Sequence, residues 1–205
     1  MGRRFVDERR RDPYYRSAQR EGLRSRAAFK LTALAERLPI FARGDAVLDL
    51  GAAPGGWTLI AREFVGPEGR VVAVDPRAIE PVPGVEIVRR RVGDAGLALA
   101  LGSDRFDVVL SDMSPQISGA YATDHARSVD LVRAAFAVAE RHLRPGGSFV
   151  AKVFSGDLLG ALEADLRRSF ERWRRTKPPA SRDRSSEVYL VGLRFSPPRP
   201  SPRTP

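Results

Sequence analysis

Short apolar runs separated by amphipathic stretches set the rhythm of this chain. Ala46–Leu50 (AVLDL), Arg70–Asp75 (RVVAVD), Val85–Val88, Phe106–Ser111 (FDVVLS) and Ser148–Phe154 (SFVAKVF) are brief and rich in Val, Leu and Phe. That is the pattern of strands buried on both faces. A first helix is expected from Ser25, its N-cap, to about Leu38, with Ala28, Leu31, Leu34 and Ala35 on one face. Further helices are expected from about Trp57 to Phe64, from about Ala126 to Leu143 with Pro145-Gly146-Gly147 ending it, and from about Asp157 to Phe170. Two more strands are expected near Arg172–Thr176 and Glu187–Phe195.

Strands alternating with helices define an α/β protein with a Rossmann-like, doubly wound, mostly parallel sheet of seven strands. Residues 1–195 are expected to form one domain, opening with a polar, basic segment over about residues 1–24 that contains Tyr14 and Tyr15. The stretch Ser196–Pro205 is too rich in proline to pack and is expected to be disordered. Doubly wound sheets bind ligands beyond the carboxyl ends of their strands, so residues that follow strands are the first candidates for a site.

Composition removes several chemistries. With no cysteine, disulfides, thiolate zinc sites and cysteine nucleophiles are excluded, and His125 and His142 are the only imidazoles. No metal is expected. No apolar run approaches the roughly 20 residues of a membrane span, and the N-terminal stretch lacks a signal peptide's apolar core. A cytoplasmic enzyme is the expectation, with no membrane partner.

The net charge of +10 is uneven. Residues 1–30 carry ten Arg or Lys against four acids, and residues 167–205 carry eleven against three. The centre is mildly acidic. Basic ends of this kind suit a polyanionic partner, because Arg and Lys on phosphates release counterions. A generally Arg-rich proteome would also make a basic surface common. Arginine outnumbers lysine by 32 to 3, and the lysines are Lys30, Lys152 and Lys177. An ammonium can give up its proton where a guanidinium effectively cannot, so a retained lysine is a candidate for a place where arginine would not serve, chance survival of three lysines being the other reading.

The strand Ala46–Leu50 runs straight into Gly51-Ala-Ala-Pro-Gly-Gly-Trp57. Glycines there let a ligand approach the backbone before the next helix begins. The turn departs from the dinucleotide fingerprint, since position 53 is Ala and Pro54 stiffens it. Asp49 sits near the strand's end and is expected to brace the loop. Asp75 closes the second strand and is placed to accept hydrogen bonds from a ribose diol. Asp94 follows the third strand, within reach of an adenine amino group. Glycine turn, ribose acid and third acid in this order describe a pocket for S-adenosylmethionine, with a nicotinamide enzyme as the other reading.

Asp112 comes immediately after Phe106–Ser111, and Lys152 interrupts the apolar run Phe149–Phe154. An unpaired ammonium among such neighbours is costly, so Lys152 calls for a carboxylate partner or for loss of its proton. If the fourth and fifth strands are adjacent and parallel, about 4.8 Å apart, Asp112 and Lys152 meet at the strand ends. A structural ion pair is the plain alternative. Glu187 opens the last strand, and Lys30 lies on the first helix.

At this point the chain resembles the RrmJ/FtsJ family of RNA ribose 2′-O-methyltransferases, from about Asp12 to Phe195. The carriers are Gly22–Leu31, Leu48–Trp57, Leu110–Met113 with Ser118-Gly119, Gly146–Phe154 and Ser181–Tyr189. The resemblance implies a methyltransferase sheet, S-adenosylmethionine as cofactor, and a reacting set of Lys30, Asp112, Lys152 and Glu187. It implies cofactor contacts from Gly51, Gly55, Trp57, Asp75, Asp94 and Asp112. It further implies methylation of a uridine in 23S rRNA within the large ribosomal subunit, by a monomer, through in-line attack of the ribose oxygen on the sulfonium methyl. Lys152 is then the base, with Lys30 and Glu187 orienting the ribose and Lys152. Ser114 and Gln116 depart from the bacterial rRNA enzymes, in which Ala and Asn are usual. A tRNA or cap 2′-O-methyltransferase, and a non-catalytic RNA-binding or ribosome-assembly factor, are the alternatives.

Overall fold

The computed structural model describes residues 27–177 and 186–196. Its strands are β1 (Ala46–Leu50), β2 (Arg70–Val74), β3 (Val85–Val88), β4 (Phe106–Ser111), β5 (Leu143–Phe154), β6 (Phe170–Thr176) and β7 (Glu187–Phe195). The helices are α1 (Ala27–Ala35), α2 (Gly56–Val65), α3 (Ala95–Leu101), α4 (Tyr121–His142) and α5 (Leu159–Leu166). All seven strands join one sheet in the order β3-β2-β1-β4-β5-β7-β6. The first five run parallel, β7 is antiparallel to β5, and β6 is antiparallel to β7. The expected doubly wound α/β sheet is what the chain forms. The strand order reverses between β1 and β4, where such folds open a crevice at the carboxyl ends.

The pleat sorts side chains onto two faces. Leu48, Leu50, Val72, Val74, Val109, Phe149, Ala151 and Val153 pack against α3, α4 and α5. Val47, Val71, Val108, Leu110, Val150 and Tyr189 pack against Ala28, Leu31 and Leu34 of α1 and Ile60, Ala61 and Val65 of α2. Asp49 and Lys152 share the parity of Val47 and Val150, so both charged side chains lie on the α1/α2 face.

The structure corrects the sequence reading at several joints. The long helix begins at Tyr121, ahead of Ala126, and stops at His142. Leu143 already pairs with Phe106, so Pro145-Gly146-Gly147 forms an irregularity inside β5 and does not end the helix. Helix α3 was not expected. Its sequence, AGLALAL, has only Leu97 and Leu101 as buried anchors, too few for a clear periodicity. The expected helix over 157–170 is α5 followed by a short 3₁₀ turn, Arg167–Ser169. Ser25 and the stretch 197–205 lie outside the described residues. No helix among the described residues is long and apolar enough to cross a membrane.

The β5 irregularity depends on glycine. A Cβ on Gly147 would sit 2.7 Å from the Asp107 carbonyl oxygen and 2.8 Å from the Leu143 side chain. Backbone cannot retreat cheaply from that contact. Gly147→Ala should therefore lose about 1–3 kcal/mol of stability, the usual range for forced overpacking. Urea unfolding followed by circular dichroism checks it, and an unchanged midpoint would show that the irregularity relaxes freely.

Candidate active site

Three strand ends are laced together where the sheet order reverses. The N–H groups of Gly51 and Ala52 donate to the Val74 carbonyl at 2.8 and 3.1 Å, and the Asp112 N–H donates to the Leu50 carbonyl at 3.2 Å. Gly51 has a φ of +77° and Gly55 one of +105°. A Cβ on Gly51 would collide with the Met113 side chain and come within 3.0 Å of its backbone. Only glycine lets the segment after β4 close against the β1 turn in this conformation.

Asp49 is fully buried beneath this turn, and its Oδ2 accepts a 2.6 Å hydrogen bond from the Thr58 hydroxyl of α2. The loop brace expected of Asp49 is thus a tether between β1 and α2. Burial pushes its carboxyl up to about 7 against the Thr58 hydrogen bond, and the nearby charges of Asp112 and Asp75 add to the rise. Its Oδ1 accepts no hydrogen bond among the described residues.

Asp75 is 2% exposed and densely bonded. Oδ1 accepts from the Arg77 N–H at 2.8 Å and Nε at 3.0 Å, and Oδ2 from the Ala53 N–H and Arg77 Nη2, both at 3.1 Å. Burial works to raise this carboxyl, but the Arg77 and Ala53 donors together hold it below the ordinary carboxylate value. Asp94 is exposed at the start of α3, where its Oδ2 accepts a 3.3 Å hydrogen bond from the Arg91 N–H.

Lys152 and Asp112 meet as the strand pairing requires. β4 and β5 are parallel neighbours with Ser111 opposite Ala151, so the next residues on each strand face one another. The Lys152 ammonium lies 2.8 Å from Asp112 Oδ1 and donates to the Asp112 carbonyl at 3.0 Å. Oδ1 is close enough for charge pairing yet accepts no well-directed hydrogen bond. Lys152 is only 8% exposed, so the ion pair meets the need stated for a cation on an apolar strand.

Lys30 and Glu187 also meet, in a short ion pair across 157 residues of chain. The Lys30 ammonium lies 5.7 Å from the centroid of the buried Tyr189 ring, and Tyr189 stands opposite Lys152 in the β5–β7 register. The two ion pairs therefore share the α1 face of neighbouring strands. Trp57 is 2% exposed, packs 5.8 Å from Tyr189, and donates its indole N–H to the Ala27 carbonyl. Its side chain ties α1 to α2 beside the site.

Two connections escaped the sequence reading. The Asp124 carboxylate accepts from the Ser118 N–H and hydroxyl and from the Gly119 N–H, pinning the loop after β4. His125 accepts from the Leu158 N–H at Nε2 and pairs through Nδ1 with the Phe154 carbonyl, pinning the loop after β5. The His125 contacts span about 30 residues and leave no local trace in a sequence, while the Asp124 contacts close a loop of only five or six. Among the described residues no cluster of three or more ligating side chains fits a metal. The basic residues Arg3, Arg4, Arg9–Arg11, Arg24 and Arg26 lie outside the described residues.

A seven-stranded sheet with this order, a glycine turn after β1 and acids after β2 and β4 defines an α/β methyltransferase. The FtsJ-like methyltransferase model matches residues 23–195, and the chain belongs to that family. Its methyl donor is S-adenosylmethionine. The chain is 49% identical over 195 residues to ribosomal RNA large subunit methyltransferase E of Halorubrum lacusprofundi, covering 91% of this chain and 72% of that protein. It is 45% identical to the protein of the same name from Archaeoglobus fulgidus, covering 91% and 97% of the two chains. A crystal structure from Plasmodium falciparum, assigned as a ribosomal RNA methyltransferase, superposes with a TM-score of 0.74 at 25% identity, over 84% of this chain and 98% of that one.

Asp49 makes stability depend on pH. Its carboxyl binds a proton more tightly in the folded protein than in the unfolded chain, with a value of about 7 against 3.8. Stability therefore falls as pH rises through that window and levels off above it. Asp49→Asn removes the buried charge. The ligand-free variant should gain on the wild type by about 1–4 kcal/mol at alkaline pH, and the gain should shrink toward acid pH. Denaturant titrations at pH 5 and pH 8 test this, and equal stability at both would show that the carboxylate ionises without penalty.

Proposed function

We propose that this chain transfers a methyl group from S-adenosylmethionine to a ribose 2′-hydroxyl in RNA, at a uridine of 23S rRNA in the large ribosomal subunit, as a cytoplasmic monomer. The observation that carries the reading is the pair of buried lysine–carboxylate contacts on one face of the strand ends. Lys152–Asp112 and Lys30–Glu187 match the reacting positions of the family residue by residue. The names of the relatives support RNA as substrate. Exposed Arg172 and Arg174 on β6 add cationic surface of the kind that binds phosphates.

The acceptor-rich pocket fits the cofactor. Asp75 and the buried, incompletely bonded oxygens of Asp49 and Asp112 suit a ligand that brings hydroxyls, amino groups and positive charge. Gly51, Gly55 and the Trp57 backbone would line the turn, Asp75 would take the ribose diol, Asp94 the adenine amino group and Asp112 the region near the methyl. The diol would replace the Arg77 fork, whose side chain is 71% exposed and able to swing into solvent. When bound, the cofactor supplies an electrophilic methyl carried on sulfur.

A ribose hydroxyl is a weak nucleophile, so the protein must take its proton as the new C–O bond forms. Lys152 is the base: once its ammonium has released a proton to solvent, Nζ accepts the proton of the hydroxyl, and Asp112 stabilises the ammonium that results. Lys30 and Glu187 hold the ribose in line, which is itself a large part of such catalysis. No side chain becomes covalently modified.

Two variants separate these roles. Lys152→Arg keeps the charge but cannot act as a base, so single-turnover methyl transfer to a 23S rRNA transcript should fall at least about 100-fold. Lys152→Ala, which removes base and bulk together, should be equally slow. An arginine variant near the wild-type rate would leave Lys152 a purely electrostatic residue. Asp75→Ala should weaken adenosylmethionine binding about tenfold or more while sparing the rate at saturating cofactor, because it loses hydrogen bonds remote from the reacting methyl. Titration calorimetry measures this, and an unchanged affinity would remove Asp75 from the cofactor site.

A further inference from the structure

Large apolar side chains rarely stay in water without reason when several gather at a site. Five are exposed among the described residues, and three come from segments that follow β4 and β5. Ile117 is 61% exposed, Tyr121 59% and Leu158 48%. Tyr121 is the first residue of α4, and its hydroxyl donates to the Ser155 carbonyl at 2.5 Å. Ser155 lies three residues beyond Lys152, about 10 Å along an extended chain.

The surrounding hydrogen bonds hold this rim in place. Asp124 fixes Ser118 and Gly119 on one side of Tyr121. His125, one helical turn after Tyr121, fixes the Phe154 carbonyl and the Leu158 N–H on the other. The ring is thus held by its hydroxyl between two anchored loops, one carrying Ile117 and the other Leu158. Arg127 is exposed further along α4, with its guanidinium directed at the Gln116 carbonyl. A held aromatic ring with open surface, apolar flanks and a cation nearby is the chemistry that receives an unstacked base and its phosphate.

We propose that Tyr121, flanked by Ile117 and Leu158, is a stacking platform for a nucleobase at or next to the methylated ribose. The proposal rests on the reading of the chain as an RNA ribose methyltransferase. In-line attack on a 2′-oxygen needs the ribose turned toward Lys152, which pulls its base or the adjacent base out of the stack. A ring held on the backbone three residues beyond Lys152 gives that base a new face. Stacking tolerates any base, so the platform contributes affinity and orientation and leaves sequence choice to other contacts.

The test is single-turnover methyl transfer at saturating adenosylmethionine, with a 23S rRNA transcript titrated against wild type, Tyr121→Ala, Tyr121→Leu, Tyr121→Phe and Tyr121→Trp. Loss of the ring, in the Ala and Leu variants, should raise the half-saturating RNA concentration at least about fivefold, the lower end of what base–aromatic stacking contributes. The same variants should lower the saturated rate by a smaller factor. The Phe and Trp variants, which keep a ring, should rescue most of the loss. Cofactor affinity by calorimetry should not move with Tyr121. Unchanged RNA dependence in the Ala variant overturns the platform, and so does a Phe variant as impaired as Ala, since the hydroxyl bond to Ser155 would then be the whole effect. A wild type that transfers no methyl to RNA overturns both this proposal and the reading beneath it, whereas a wild type that does so with an indifferent Tyr121 overturns the platform alone.

Discussion

A lysine ammonium set into an apolar strand must find an opposite charge on a neighbouring strand, and the rest of this site follows from that constraint. Lys152 finds Asp112, one residue past the end of β4, because β4 and β5 are adjacent and parallel with Ser111 opposite Ala151. A slip of β5 by one residue would bring Val153 to the α1 side and turn Lys152 to the other face, away from Asp112. Apolar packing and charge pairing thus select the same register. The cost of burying the cation is met by the arrangement that brings Lys152 and Asp112 together.

The two faces of the sheet divide the work. The face covered by α3, α4 and α5 is lined almost wholly by Leu, Val, Ala and Phe, and it carries the larger apolar cluster. The α1/α2 face carries Asp49, Lys152, Lys30 and the Tyr189 ring among its apolar residues. Polar groups are kept affordable there by pairing: Asp49 with Thr58, Lys30 with Glu187, and the Trp57 indole with Ala27. The same hydrogen bonds that satisfy buried groups fix α1 and α2 over the strand ends.

The strands and the Lys152–Asp112 ion pair were legible in the sequence for one physical reason. Buried strands demand uninterrupted apolar runs, so a Lys or Asp within or just after one stands out and asks for a partner. The α3 helix was illegible because two leucines in a run of small residues carry no decisive period. Pro145-Gly146-Gly147 reads as a helix stop, but β5 absorbs it as an irregularity next to Asp107. Trp57 stands in the glycine turn, and the burial of its ring in the core is not visible from that place in the sequence. The Arg77 fork on Asp75 and the Asp124 anchor are local and the His125 anchor is long-range, and in each the residue types alone do not announce the contact.

β7 is the last strand of the described residues, yet it lies inside the sheet, between β5 and β6. Until Glu187–Phe195 has been synthesised and threaded into that gap, β5 presents an open edge and Lys30 has no Glu187 to meet. The nascent chain therefore holds Lys152 and Asp112 early but completes its second ion pair only at the final long-range pairing, the slowest kind to form.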